Sequence, residues 1–233
     1  MSNKNPSLTE IFLHENSFIG LYLKTIKLYE MYNNPEKFFP ELKINKQLSG
    51  ELKGYLKIEI LVSVVQFAEI FGIYLLCFHE RKKEFHKKLL DYKVSEVINF
   101  FENIEIRRIP YFRKILGYPA FNQISDKTAS IKLNESSKNF KKKLVLISDF
   151  YLKYRLLYNS YKHGFRIFPM FDKNYSSGIM VINRDKKSVT IYNVNVDKAV
   201  DLLKWMMPVL KNTLKVFKER IFNGKLSYDA YIY

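Results

Sequence analysis

The chain has almost no cysteine and little glycine or proline. Cys77 is the only cysteine among 233 residues. An intramolecular disulfide is therefore impossible, and no cysteine cage can hold zinc. Cys77 lies in an apolar run and reads as an inert core position. Eight glycines and seven prolines are too few for the turns of a many-stranded sandwich, so long helices are favoured. No Gly-rich phosphate loop occurs, which removes the usual devices for ATP and dinucleotides. There is no nucleophile elbow, no short HxH or HxxxH pair and no paired-Asp motif. Neither a cofactor nor a metal is expected. Met1–Glu10 is polar and is no signal peptide, so the expected location is the cytoplasm.

What the chain does have is apolar mass and positive charge. Apolar residues make up 47% of it, which excludes global disorder. Lysine and arginine number 39 against 23 acids, a net charge of +16. Such an excess attracts polyanions: nucleic acid, an anionic membrane surface or an acidic protein partner. A coding bias toward Lys, Ile, Asn, Tyr and Phe would give the same excess.

Ile58 to Phe78 is long enough to span a bilayer. Glu59, Gln66 and Glu69 interrupt it, and an acid near the hydrocarbon midplane costs roughly 2.5–3.5 kcal/mol. The stretch reads as the central helix of a bundle, with no transmembrane segment. Glu69 cannot stay ionised there alone. It is expected to meet Lys162, Arg155, His163 or a tyrosine hydroxyl from the third long helix.

Periodicity organises the rest. Ser7 with Glu10 forms a capping box, and helical spacing then runs to a break at Asn33-Asn34-Pro35. A second helix is predicted from Gln47 to about Leu90, kinked or split near Gly54 or Gly72. Within it, His79 to Lys88 imitates a zinc-protease motif at its start, but position 83 is lysine and His79 and His86 are two turns apart, so the segment reads as a solvated charged face. A short helix is predicted over 94–104 with Ser95 as N-cap. Residues 105–130 read as loop with one short helix. Ser136 or Ser137 then opens a third long helix, ending near His163, with Lys141-Lys142-Lys143 as its solvated start. Its tyrosines Tyr151, Tyr154, Tyr158 and Tyr161 read as a core or dimer stripe.

The period then changes. Residues 178–183 and 188–192 alternate and are rich in β-branched side chains, which predicts a β-hairpin within 178–193. A last amphipathic helix follows over 195–223, kinked at Pro208. The fold class expected is mainly α, an antiparallel helical bundle with one small hairpin before its C-terminal helix. Residues 1–233 read as a single helical domain.

The richest chemistry lies at the end of the third long helix. Asn159 and His163 share one face there, Lys162 and Arg166 form a cationic stripe, and Gly164 is placed as a C-cap. The run Asn159-Ser160-Tyr161-Lys162-His163-Gly164 resembles the second signature helix of HEPN domains, the higher-eukaryote-and-prokaryote nucleotide-binding all-helical superfamily. In that family an Arg, often followed by Asn, precedes a His by four to six residues near a helix C-terminus. The resemblance covers about 45–165.

The resemblance implies RNA binding, a homodimer and a metal-independent endoribonuclease of a toxin–antitoxin or defence system. An imidazole would move protons at the ribose hydroxyl and the leaving oxygen, while a cation binds the phosphate. It assigns catalysis to His163, Asn159 and Lys162. Substrate binding falls to Arg155, Arg166 and Tyr158, with Glu69 in support. One position departs from the pattern: Tyr158 stands where the Arg would precede Asn159. The nearest upstream arginine, Arg155, is about 12 Å from His163 along the axis. The alternatives are a non-catalytic nucleic-acid binder and a helical protein-interaction protein.

Overall fold

The computed structural model describes residues 16–43, 46–80, 89–119, 124, 126–162, 167–170, 178–183 and 188–223. The described residues are mainly helical. In chain order they form α1 (Asn16–Asn33), α2 (Pro35–Phe38), a 3₁₀ turn (Pro40–Lys43), α3 (Lys46–Glu80), α4 (Val94–Glu102), α5 (Ile109–Ile115) and α6 (Lys127–Lys162). Three strands follow, β1 (Ile167–Met170), β2 (Gly178–Ile182) and β3 (Val189–Tyr192), and then α7 (Val196–Asn223). The chain divides into two compact units. One comprises 1–17, 68–152 and 205–233; the other comprises 18–67 and 153–204.

In the first unit the core is aromatic. Phe71, Phe78, Phe101, Phe112 and Phe140 are buried. Each such ring contributes roughly 1.5–3 kcal/mol on leaving water. Phe71 and Phe140 both meet Trp205 edge-on or tilted, at 6.2 and 5.8 Å between ring centroids. Gly72 does not break α3. A Cβ on it would fall 2.9 Å from Phe101 Cε2 and 3.0 Å from Val97 Cγ1, so its missing side chain lets α4 approach. Here the expectation of a split fails, because a helical glycine also serves close packing.

Two helix starts in this unit correct the sequence reading. The N-cap of α4 is Lys93, with no side-chain cap, so Ser95 lies inside the helix. Helix α6 begins at Lys127, where the Asp126 carboxylate accepts the Thr128 N–H at 2.8 Å. Ser136 and Ser137 lie within α6 and spend their hydroxyls elsewhere. Ser137 donates to the Leu133 carbonyl, and Ser136 pairs with the Tyr118 hydroxyl. Lys141 is likewise no solvated helix start, because its ammonium donates to the carbonyls of Glu105 (2.7 Å) and Arg107 (2.9 Å). Helix α5 ends at Ile115 with Leu116 as its C-cap, and Gly117 follows with a φ of 75°, the left-handed conformation that suits a residue just past a helix end.

In the second unit, Phe18 of α1 packs edge-on against Phe67 of α3. The Tyr29 hydroxyl donates to Asp197 in the first turn of α7 at 2.7 Å. At the start of that helix Asn195 Oδ1 accepts the Lys198 N–H. The sheet has the order β1-β2-β3, antiparallel throughout, with Phe168 opposite Met180 and Met180 opposite Ile191. The expected hairpin is β2–β3, and β1 is an additional strand. Pro169 hid it, since a proline argues against strand in a four-residue run. Tyr154 packs on Tyr192 at 5.6 Å and donates to the Asn193 carbonyl.

Helix α3 carries the most apolar stretch. Gln47–Glu80 is long and apolar enough to cross a membrane by length and composition, and 83% of its most apolar window is buried within the protein. A helix apolar on all sides needs such a surround. Pro208 lies inside α7 on its exposed side, so the Lys204 carbonyl that loses its N–H partner faces outward. The capping box at Ser7–Glu10, the second histidine His86, and the residues His163, Gly164 and Arg166 lie outside the described residues.

Candidate functional site

The end of α6 places the described members of the expected site on the last two turns of one helix. Tyr158 is buried, Asn159 and Arg155 are half-buried, and Lys162 is exposed. The Lys162 ammonium sits 4.0 Å from the centre of the Tyr158 ring. That is an i, i+4 cation–π contact, and it follows from the lean of helical side chains toward the N-terminus. Tyr158 is therefore a wall for the lysine rather than an open stacking surface. The catalytic and binding roles of His163 and Arg166 fall on residues outside those described.

Beside this cluster lies a group that the sequence did not single out. The Tyr161 hydroxyl makes a short hydrogen bond to Glu59 Oε1 of α3. Lys24 of α1 approaches the other carboxylate oxygen at 3.7 Å. The bond to Glu59, then burial and the carboxylate charge, push the Tyr161 phenol up to about 12. The terminal turn of α6 is thus tied to α3 by a side chain whose neighbours carry the candidate chemistry.

Glu69 meets a tyrosine hydroxyl of the third long helix, one of the partners anticipated for it. Tyr151 donates to Glu69 Oε2 at 3.0 Å, and Tyr92 reaches Oε1 at 3.4 Å. Glu69 is only 4% exposed. Tyr151 and Asn159 are eight residues apart in sequence, more than two helical turns, so Glu69 finds its donor well before the terminal cluster. Of the tyrosine stripe, Tyr151, Tyr154 and Tyr158 are buried and Tyr161 is exposed. Three of the four are core.

A second polar concentration lies in the first unit. A cavity of about 230 Å³ is walled by Leu76 and Glu80 of α3 and by Glu96, Asn99 and Phe100 of α4. Arg107 and Tyr111 complete it. The Arg107 guanidinium lies 5.0 Å from the centre of the Tyr111 ring, and the His79 imidazole stacks on the same ring at 4.2 Å. Burial, with the nearby Glu80 charge, raises the Tyr111 phenol, while Arg107 opposes the shift. These residues come from three separate segments with no shared motif; among them only His79 and Glu80 stood out in the sequence, as the start of a charged face. Among the described residues no group of three His, Cys, Asp or Glu side chains is placed to hold a metal ion.

The exposed side of α6 in the first unit is basic. Lys127, Lys132, Lys138, Lys142 and Lys143 are all exposed there, against Glu135 and Asp149 as the exposed acids. From Lys127 to Lys143 the helix rises about 24 Å. Comparison with protein-family models, with curated proteins and with solved structures finds no match to this chain.

Proposed function

We propose that the protein is a helical RNA-binding protein that grips the phosphate backbone through the exposed lysine face of α6. The observation that carries the reading is the five lysines against two acids on that face, within a chain of net charge +16. Ammonium groups along one helix side neutralise successive phosphates and release condensed counterions. They need no cofactor and impose little sequence preference.

The resemblance to HEPN ribonucleases adds a second activity, metal-independent cleavage at His163. Asn159 and Lys162 on the last turn of α6 support it, as a hydrogen-bonding amide and an ammonium at the end of the helix that His163 follows in sequence. Arg155, one turn before Asn159, is a further cation for the phosphate.

Incubating a labelled single-stranded RNA with the full chain in chelator tests both. Binding with cleavage that His163→Ala abolishes supports the ribonuclease. Binding without cleavage leaves the RNA-binding function alone. Absence of binding at low salt overturns the proposal.

A further inference from the structure

The cavity between α3, α4 and the Arg107–Tyr111 segment has a charge character opposite to that of the chain. Two carboxylates, Glu80 and Glu96, face one guanidinium, Arg107, in its lining. The rest of the protein favours polyanions; this lining favours a cation, with one fixed site for an anion. Its volume of about 230 Å³ falls below the roughly 300–1,000 Å³ of most ligand pockets. It is open to solvent on one side, where Asn99 and Arg107 are exposed, and the part within the protein suits a small ligand.

Arg107 and Asn99 are held in place. The Arg107 guanidinium rests on the Tyr111 ring at 5.0 Å. Its main chain is fixed from α6, where Lys141 takes the carbonyls of both Glu105 and Arg107. Asn99 Oδ1 accepts from the Asn103 amide at 2.8 Å, which leaves the Asn99 amide N–H groups as donors. Leu76 and Phe100 supply apolar wall. Donors (Arg107, Asn99), acceptors (Glu80, Glu96) and apolar surface thus line one small space.

We propose that this cavity binds a free α-amino acid with an apolar side chain. Its carboxylate would engage Arg107 and the Asn99 amide, since a guanidinium matches a carboxylate with two parallel bonds. Its ammonium would donate to Glu80 and Glu96. Its side chain would lie against Leu76 and Phe100. A nucleobase fits less well, because His79 and Arg107 already engage the Tyr111 ring and it offers no open stacking platform. This site is independent of the RNA face on α6.

Titration calorimetry on the full-length protein tests the proposal with three probes. They are L-leucine, L-leucinamide, which lacks the carboxylate, and 4-methylpentanoate, which lacks the amine. L-leucine is expected to bind with a Kd of about 1 mM or tighter, and each analogue about tenfold more weakly or worse. Arg107→Met should remove the advantage of L-leucine over L-leucinamide, whereas Glu96→Gln should weaken both amines. Arg107→Lys, which keeps the charge but not the paired donors, should restore part of the L-leucine affinity. Thermal melts of each variant separate loss of binding from loss of fold. The charge reversals Lys138→Glu and Lys142→Glu should leave L-leucine binding unchanged. The proposal is overturned if L-leucine, L-methionine and L-phenylalanine all give no heat up to about 10 mM. It is equally overturned if 4-methylpentanoate binds as well as L-leucine.

Discussion

The Tyr151 hydroxyl donates to Glu69 Oε2 at 3.0 Å inside the first unit, where Tyr151 is 1% and Glu69 4% exposed. A carboxylate on the most apolar helix of the chain is tolerated because donors from elsewhere reach it. Tyr151→Phe is expected to cost about 1–3 kcal/mol, since it strips a donor from a buried carboxylate. Combined with Glu69→Gln, a double-mutant cycle in chemical denaturation should give a coupling energy of about 0.5–3 kcal/mol. Additive effects would show that the two side chains do not support one another.

Gly72 gives a second expectation. A methyl group there meets Phe101 and Val97 at 2.9 and 3.0 Å, closer than carbon atoms pack. Gly72→Ala gains helix propensity of about 1 kcal/mol. Against it stands overpacking of typically 1–3 kcal/mol. Net destabilisation is expected in thermal melts, and Phe101→Leu in the same chain should relieve it. A Gly72→Ala protein more stable than wild type would mean that α4 does not approach as described.

Much of the fold was legible because long helices repeat their pattern many times. Helices α3 and α7 follow from sequence spacing, and so do strands β2 and β3. What misled was local chemistry with more than one use. Ser136 and Ser137 look like helix caps, yet their hydroxyls serve Tyr118 and the Leu133 carbonyl, and Asp126 does the capping. A Lys-Lys-Lys run looks solvated, yet its first member clasps the 105–107 backbone. The terminal cluster on α6 was readable as residue types at helical spacing. The contacts from Tyr161 to Glu59 and from Glu59 to Lys24 were not, because they join residues more than 30 positions apart. The cavity around Arg107 was hidden because its lining comes from three separate segments that share no pattern.

The Tyr161–Glu59 bond predicts a pH dependence at the alkaline end. The folded phenol is raised to about 12, above the ordinary value of about 10. A raised folded value means that the folded state holds the proton more tightly. Its stabilising contribution is complete below pH 10 and is lost as pH rises from about 10 to 12. In an ultraviolet titration, the difference between wild type and Tyr161→Phe should be one phenol ionising near pH 12. A difference centred near pH 10 would remove the bond from the account. Because Tyr161 is exposed, Tyr161→Phe should cost under about 1 kcal/mol at neutral pH.

The most direct measurement is the affinity of the full chain for a short labelled single-stranded RNA, followed by fluorescence anisotropy across a salt series. With five lysines engaged, log K should fall against log salt with a slope of roughly −3 to −4. The double charge reversal Lys138→Glu, Lys142→Glu should weaken binding at least about tenfold and flatten that slope, with the thermal melt unchanged. Wild-type affinity and slope in the double variant would contradict the assignment of RNA binding to the α6 face.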